Sequence, residues 1–393
     1  MLSVETSRSA IVDREACDRL RLMSYELDGT GYQPKAGSVA ALSGIHIHEG
    51  FSHLLAPGED PTSDTRLKES ITIMHEGFVE AFEKHGVRQA LTEDVTRVLA
   101  EQKFMLEVML RGWVKVRMPE FLETYEVMSV ERAWRWELAP GIVLPFRMDA
   151  ITRRRDDGLL HIHDFKGAGS VDGVVRAKYE DSRQTILYLT GLEEHTNEPV
   201  GGIVYEYINR GSFKADGAKG SPFYQQRIQQ SPMTYGYVNR GEIDRWEAEY
   251  QKTKGWTKVP AWEEHSAAEW VEFLAGKGIL QELYAGGVPV SPPPTQRQSM
   301  RRQIANQERD YFLGLEQFNE LRKRYGTDTH PEVQAHLEAW SIQKTEHCNK
   351  FGAEYQCAFR AGALCFMKEG MELLRDEPAF QKRIPHHAPA EAL

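Results

Sequence analysis

The feature that most constrains the fold is a change in hydrophobic periodicity near residue 130. From about 66 to 118, apolar residues recur at spacings of three and four, as on one face of an α-helix. Residues 130–138, 142–152 and 159–165 instead alternate apolar and polar side chains, which is typical of half-buried strands. Asp156-Asp157-Gly158 suits a tight turn between the last two segments. The sequence therefore predicts three adjoining antiparallel strands near the middle of the chain.

Helical and strand patterns continue after these strands. A helix is predicted at 173–194, strands at 200–209 and 222–230, and charged amphipathic helices at 239–254 and 298–325. Glycine- and proline-rich breaks fall at 211–222 and 285–294, where a helix cannot continue. This order predicts a mixed α/β (α+β) protein with one central sheet flanked by helices, and with helical N- and C-terminal additions.

Composition limits the classes of function. The 393 residues carry a formal net charge of −10, which argues against a protein that binds nucleic acid over its whole surface. A local basic groove is still compatible with that charge. No apolar run is long enough to span a membrane, and the first residues lack the pattern of a secretory signal. We therefore expect a cytoplasmic protein with no membrane partner.

Two acidic residues and a lysine come together on the predicted hairpin. Asp149 lies on one strand, Asp164 ends the next, and Lys166 follows on the same face as Asp164. Carboxylates can hold Mg²⁺, and a lysine can offset charge at a phosphate, as phosphodiester hydrolysis requires. The alternative is a solvated salt bridge on a surface hairpin. The apolar residues Leu160 and Ile162 favour a half-buried site, because buried strands seldom carry unpaired charge.

Two further motifs flank the hairpin and complete a family pattern. Gly44 and His48 lie on an N-terminal amphipathic helix, and Gln184 and Tyr188 lie four residues apart on the helix after the hairpin. In order, Gly-x-x-x-His, Arg-x-Asp, Asp-x-Lys and Gln-x-x-x-Tyr resemble the RecB-like branch of the PD-(D/E)XK nucleases, which includes the CRISPR-associated exonucleases. The resemblance covers about residues 44–208 and implies a restriction-endonuclease-like central sheet.

The resemblance implies a role for each matched residue. It implies Mg²⁺ or Mn²⁺ held by His48, Asp149, Asp164 and the backbone carbonyl of Phe165. It also implies that Lys166 is the catalytic lysine and that Gln184 and Tyr188 form the DNA-side catalytic motif. The sequence departs from the family at Gly167-Ala168-Gly169, where a threonine and then a glycine often follow the lysine. His46 also competes with His48 for the histidine role.

The four cysteines are distributed unevenly, at Cys17, Cys348, Cys357 and Cys365. From the residues alone, they are either isolated buried side chains or four thiolates around one metal centre. The Cys-x-x-Cys pairs that zinc modules usually have are missing. In the CRISPR-associated and AddB-like nucleases, one cysteine before the nuclease core and three after it hold an iron–sulfur cluster. The resemblance therefore implies a structural 4Fe–4S cluster that ties the two ends of the domain together.

Six basic residues near the hairpin are candidates for DNA binding: Arg153, Arg154, Arg155, Arg176, Lys178 and Arg183. The resemblance thus implies a metal-dependent DNA nuclease, and in particular an exonuclease acting on DNA ends or single strands in recombination, repair or phage or mobile-element DNA processing. The alternatives are a non-catalytic DNA-end-binding or scaffold subunit of a nuclease–helicase complex, and an interaction protein stapled by a four-cysteine site. A helicase or recombination protein is the expected protein partner.

The same interpretation divides the chain into four parts. Residues 1–130 form an N-terminal helical region with Cys17 and His48, and residues 131–230 form the nuclease core. Residues 231–345 form a helical accessory region, and residues 346–393 form a C-terminal cysteine segment that returns to the N-terminus.

Overall fold

The computed structural model describes residues 4–35, 39–85, 95–168, 173–180, 182–210, 212–215, 227–230, 265–276, 278–341, 357, 359, 364–365 and 367–383. The helices are α1 Arg8–Ala16, α2 Asp18–Arg21, α3 Val39–Leu54, α4 Asp64–His85, α5 Val95–Val116, α6 Met118–Thr124, α7 Gly173–Glu180, α8 Arg183–Thr196, α9 Ala267–Gly276, α10 Pro294–Tyr325, α11 Pro331–Trp340 and α12 Gly370–Asp376. The strands are β1 Val4–Glu5, β2 Tyr32–Pro34, β3 Tyr125–Ala139, β4 Ile142–Arg154, β5 Leu160–Ala168, β6 Val200–Asn209, β7 Ser212–Ala215, β8 Arg227–Gln230, β9 Tyr284–Ala285, β10 Pro289–Val290 and β11 Phe380–Lys382.

A mixed sheet of seven strands forms the centre of the fold. Strand β4 pairs antiparallel with β3 and β5, and parallel with the short β1. Strand β5 pairs parallel with β6, and α7 and α8 form the crossover between them. Strands β9 and β10 pair antiparallel with β6. The predicted fold class, a mixed central sheet flanked by helices, is confirmed.

Most of the predicted elements near the sheet are present, with shifted ends. The three alternating segments correspond to β3, β4 and β5, and the strand predicted at 200–209 is β6. The helix predicted at 173–194 is two helices, α7 and α8, because Ser182 caps a new helix by accepting the backbone N–H of Thr185. The strand predicted at 222–230 is the shorter β8, paired with β7 in a sheet of its own. The helix predicted at 239–254 lies outside the described residues.

Helices cover both faces of the sheet and form two apolar cores. On one face, α3, α4, α5, α6 and α9 pack around Phe51, Trp113 and Phe165. On the other face, α8 and α10 pack on strands β3 to β6 through residues such as Leu189, Leu192 and Ile304. Because both faces are covered, polar side chains on the strands have to be paired or to face a cavity.

A third core joins distant parts of the chain. Leu22, Met23 and Leu27, which follow α2, pack with residues of α10, α11 and α12. Strand β2 pairs antiparallel with β11, so residues 32–34 lie beside residues 380–382. Buried Arg21 also pairs with Glu308 on α10, with 2.6 Å between Nη1 and Oε1. These contacts fix the N-terminal segment against the C-terminal helices.

Within the described residues, none of the helices has the length and apolarity needed to cross a membrane.

Candidate metal centre and active-site cavity

The two predicted acids and the lysine meet on neighbouring strands. Asp149 lies on β4, and Asp164 and Lys166 lie on β5. The Oδ2 atom of Asp149 accepts the backbone N–H of Phe165 at 2.8 Å, and Lys166 Nζ donates to Asp164 Oδ1 at 2.7 Å. Asp164 is only 2% exposed, so its ion pair with Lys166 is largely shielded from water.

Helix α3 brings a histidine to the same place. Its apolar residues Ile47 and Phe51 pack into the helical core, which leaves the half-buried His48 beside the sheet. Its Nδ1 atom lies 3.0 Å from Oδ2 of Asp149. His46 contacts Glu49 instead, with 2.6 Å between Nδ1 and Oε2, and packs edge-on against Phe78. The structure thus brings His48, rather than His46, to the acidic residues.

A third carboxylate, which the sequence analysis did not single out, joins the group. Glu131 on β3 lies between the Val130–Ala150 and Arg132–Met148 pairs, and so across from Asp149. Its Oε1 atom lies 4.0 Å from Nδ1 of His48, and its Oε2 atom pairs with Arg147 Nε at 2.6 Å.

The donor atoms in this group lie close enough together to bind one metal ion. One donor atom from each of His48, Glu131 and Asp149 lies within 4.8 Å of the other two. Among the described residues, no other set of three histidine, cysteine or acidic side chains meets that criterion. One imidazole and two carboxylates suit a divalent cation such as Mn²⁺ or Mg²⁺, so the residues present fit the metal that the sequence motifs imply.

Charges in the group are strongly coupled. Burial opposes ionisation of Asp149, but His48 and Lys166 outweigh burial and hold the pKa of Asp149 well below its usual range. Burial likewise favours the neutral form of His48, but the nearby Asp149 raises the pKa of His48. Each of the two groups therefore favours the charged form of the other.

The remaining two acids hold their protons to a higher pH. Burial and the charge of Asp149 raise the pKa of Asp164 to about 6, although Lys166 opposes the shift. Burial and Asp149 raise the pKa of Glu131 to about 7, although Arg147 opposes that shift. Perturbed carboxylates in one cluster are typical of functional sites, and a bound cation would favour their ionised forms.

The predicted glutamine and tyrosine on α8 also face this group. Gln184 is buried, and its Nε2 atom donates to Oδ2 of Asp164 at 3.4 Å. Tyr188, one turn later, is buried beside Phe146, with 5.8 Å between ring centroids. Burial and the nearby Asp164 raise the pKa of Tyr188, so its hydroxyl stays protonated. Asp164 is thus held between Lys166 and Gln184.

A cavity of about 1070 Å³ opens from the metal-ligand group. Its walls come from α3, the strand residues of the site, the N-terminal segment, and the start of α8. Five basic side chains line it: Arg8, Arg66, Arg147, Lys166 and Arg383. Of these, only Lys166 was predicted to be functional. Arg8, Arg66 and Arg383 come from segments that are far from the hairpin in sequence, whereas Arg147 lies on β4, two residues before Asp149.

The six predicted DNA-binding residues lie elsewhere, and none of them lines the cavity. Their contacts are Arg153 with Glu198, Arg154 with Asp156, Arg155 with the carbonyl of Leu122, Arg176 with the ring of Tyr207, Lys178 with the ring of Tyr179, and Arg183 with Glu15. Three of these six charges, those of Arg153, Arg154 and Arg183, are thus paired with carboxylates.

The described cysteines do not line the cavity. Cys17 lies between α1 and α2, and Cys357 and Cys365 pack against the third core. Cys348 lies outside the described residues. The buried Arg19 interacts electrostatically with both Cys17 and Cys365, so the structure brings an N-terminal and a C-terminal cysteine to the same guanidinium.

The surroundings of Arg19 fit a thiolate-bound cluster. Its Nε atom is buried without a hydrogen-bond partner among the described residues. Such an orphaned donor beside two cysteines is suited to hydrogen-bond a cluster sulfur, which tunes and stabilises such centres. As placed, the three described cysteines do not gather within 4.8 Å as ligands of one zinc ion would. Thiolates bound to separate irons of a cluster lie farther apart.

No protein-family model matches this sequence, and no curated protein matches it significantly.

Proposed function

We propose that this chain is a metal-dependent nuclease that hydrolyses phosphodiester bonds in DNA. One observation carries the proposal: the donor atoms of His48, Glu131 and Asp149 lie within 4.8 Å of one another, beside the ion pair of Asp164 with Lys166. The order of the motifs along the chain, which resembles the RecB-like nucleases, supports the same activity.

The metal would be Mg²⁺ or Mn²⁺, held by His48, Glu131, Asp149 and Asp164, with the backbone carbonyl of Phe165 as a further ligand. When bound, such an ion polarises a phosphate and lowers the pKa of water. Phe165 is well suited to hold a fixed backbone position, because its ring stacks on Phe51 with 4.1 Å between centroids and is 2% exposed.

The protein residues contribute orientation and charge. Lys166 holds an ammonium group at the cavity wall, where it can hydrogen-bond a phosphate oxygen and offset negative charge that develops there. Gln184 limits the rotation of the Asp164 carboxylate by donating to its second oxygen. The hydrogen bonds that Lys166 and Gln184 donate to Asp164 exist before substrate binds, so the site is preorganised.

The substrate would be DNA with a free end or a single-stranded segment. The cavity combines five basic side chains with a phosphodiesterase-type centre, which suits a polyanion whose backbone passes the metal. A helicase or recombination protein that supplies such ends would be the partner. The preference for DNA over RNA comes from the family resemblance.

We further propose that Cys17, Cys348, Cys357 and Cys365 hold a 4Fe–4S cluster with a structural role. The buried Arg19 beside Cys17 and Cys365, and the pairing of β2 with β11, support a cluster that joins the two ends of the chain.

A nuclease assay tests the activity. End-labelled single- and double-stranded DNA would be incubated with anaerobically purified protein and Mg²⁺ or Mn²⁺. We expect cleavage that requires the metal and that falls by about a thousandfold or more in Asp164→Asn and Lys166→Ala. Asp164→Asn removes an anionic metal ligand, and Lys166→Ala removes the positive charge that offsets charge developing on the phosphate.

Asp310→Asn is a matched control, because Asp310 is an exposed carboxylate on α10, outside the cavity. It should cleave at the wild-type rate. A folded, metal-binding wild type that leaves every DNA substrate intact would overturn the enzymatic proposal and favour a DNA-end-binding subunit.

A further inference from the structure

The active-site cavity extends along α3 to an arginine that the proposed chemistry does not use. Arg66 on α4 lines the cavity together with His53 and His48 on α3. His53 follows the metal ligand by five residues, which corresponds to about 7.5 Å along the helix axis. Arg66 therefore marks a second position in the cavity, away from the metal ligands but connected with them.

A closed ring of hydrogen bonds fixes the Arg66 side chain. Ser70 Oγ donates to the carbonyl of Arg66 at 2.8 Å, and lies 2.9 Å from Nδ1 of His53. Because Ser70 uses its hydrogen for that carbonyl, it accepts from Nδ1–H of His53. The other nitrogen, Nε2, then accepts from Nη1 of Arg66 at 3.1 Å. Burial and the charge of Arg66 lower the pKa of His53, consistent with a neutral ring.

The ring orients Arg66 without neutralising it, since both of its partners are uncharged. Arg66 Nη1 also forms a long ion pair with Glu69, 3.9 Å from its Oε2 atom, but the Glu69 side chain is 55% exposed, so water screens this pair. Nε of Arg66 is buried and has no hydrogen-bond partner among the described residues. By contrast, Arg147 in the same cavity is paired with Glu131. The charge of Arg66 is thus only weakly compensated, and its Nε is an unused donor among the described residues, so an anion with several oxygens can satisfy both.

We propose that Arg66, held by His53 and Ser70, is a phosphate-binding subsite for the strand whose neighbouring phosphate lies at the metal centre. This inference rests on the proposed nuclease function. The ligand is either an internal phosphodiester next to the bond that is cut or a terminal phosphate, and both present oxygens to the guanidinium in the same way.

Binding can be measured without cleavage. Full-length protein in EDTA would be titrated into fluorescently labelled single-stranded oligonucleotides with 5′-phosphate, 3′-phosphate or only hydroxyl ends, and anisotropy would be followed over a range of salt concentrations. Arg66→Met keeps the aliphatic part of the side chain and removes the charge. We expect affinity to fall by about tenfold, and the salt dependence to weaken by about 0.7 in log–log slope.

The oligonucleotide ends distinguish the two sources of phosphate. A loss confined to one phosphorylated end identifies a terminal phosphate, whereas an equal loss on all three oligonucleotides identifies an internal one. Ser70→Ala breaks the ring but keeps the charge, so we expect a smaller loss of about threefold.

Lys68→Met is the matched control, because Lys68 is exposed on the same helix, outside the cavity. It should bind within twofold of wild type. Mn²⁺ affinity of Arg66→Met, measured by calorimetry, should equal that of wild type. Unchanged oligonucleotide binding in Arg66→Met, or a parallel loss of Mn²⁺ binding, would overturn the subsite. If wild type does not cleave DNA but Arg66→Met still loses affinity, the nuclease proposal fails and the phosphate subsite stands.

Discussion

The chain holds the two groups of side chains that we propose as metal ligands in different ways. His48, Glu131, Asp149 and Asp164 each lie on a helix or a long strand, and each has a hydrogen-bonded or charged partner. Cys17 lies between two short helices, and Cys357 and Cys365 lie outside the helices and strands of the described structure.

This difference predicts different roles for the two bound groups. A metal ion at the carboxylates would contribute to catalysis, whereas a cluster at the cysteines would contribute to the stability of the fold. The sheet already places the carboxylates, so a divalent cation there finds a preorganised site and changes the fold little. The cysteine region is assembled from distant segments, so a cluster there would contribute its binding free energy to folding. Perturbing each group should therefore give opposite effects on activity and stability.

The largest expected effect is on activity at the carboxylate group. Asp149→Asn should lower DNA cleavage by about a thousandfold and weaken Mn²⁺ binding, because it removes a central anionic ligand. The melting temperature should fall only slightly, since asparagine can still accept the N–H of Phe165. Loss of the ion pair with His48 destabilises the fold, but removing the repulsion that Asp149 exerts on Asp164 and Glu131 offsets part of that loss. Cleavage kinetics, Mn²⁺ calorimetry and thermal melting test these three expectations. A large loss of melting temperature would remove the contrast between the two regions.

At the cysteines we expect the reverse. Cys17→Ser should abolish the visible absorption of the anaerobic protein and lower the free energy of unfolding by on the order of 2–4 kcal/mol, because the cluster no longer ties the two ends together. Denaturant melts of wild type and variant would measure the loss. If the wild type is colourless and contains zinc, the cysteines bind zinc and not an iron–sulfur cluster. If wild type and Cys17→Ser are both coloured and unfold at the same denaturant concentration, Cys17 is not a ligand.

A pH series separates the metal-free from the metal-bound carboxylate group. Asp164 and Glu131 have pKa values raised to about 6 and about 7, and the pKa of His48 is also raised. Groups with raised pKa values stabilise the folded state at low pH, and this contribution is lost as the pH rises through about 6 to 7.

Mn²⁺ binds to the deprotonated ligands, so the affinity for Mn²⁺ rises with pH, whereas the stability contributed by the protonated groups falls. We expect the gain in melting temperature on adding Mn²⁺ to grow from about pH 5 to about pH 8, with release of protons in that window. Thermal shifts in paired buffers, and calorimetry in buffers of different ionisation enthalpy, measure both. If the gain in melting temperature on adding Mn²⁺ does not change with pH, Mn²⁺ binding is not coupled to the deprotonation of these groups.

The smallest expected effect concerns the wall of the cavity. Gly44 lines the cavity on α3, and a Cβ atom built there has no heavy atom within 4 Å. Gly44→Ala should stabilise the protein by about 0.5–1 kcal/mol, because glycine is costly inside a helix. If substrate occupies the part of the cavity next to Gly44, cleavage by Gly44→Ala should fall by about twofold or more. Gly50→Ala is a useful contrast, because its Cβ would lie 3.1 Å from the sulfur of Met74.

Local patterns in the sequence were sufficient to predict the strand unit and three of the site residues. Alternating residues and the Asp156-Asp157-Gly158 turn place Asp149, Asp164 and Lys166 on adjoining strands, as the structure has them. The break at Ser182 was missed, because helix periodicity on both sides hides a capping residue between two helices.

Glu131 could not be placed for a different reason. In a regular hairpin closed by a turn at Pro140-Gly141, residue Glu131 on β3 would lie opposite Ala150 on β4. In the structure, the strand register shifts by one residue between Glu137 and Ala139, and Glu131 therefore lies opposite Asp149. Glu131 itself has a φ of 47°, a backbone conformation that glutamate seldom adopts. Neither the shift nor that conformation has a signal in the sequence. Arg66 was missed because its role depends on packing between α3 and α4.

The pairing of β2 with β11 also determines when the cavity becomes complete. Arg383 directly follows β11, donates to the carbonyl of Ser24, and forms part of the cavity wall. During synthesis, the ribosome adds this residue after every other residue of the wall. A nascent chain that has already folded its sheet therefore has an incomplete cavity. The cavity wall is complete only after residue 383 has been synthesised and has reached Ser24.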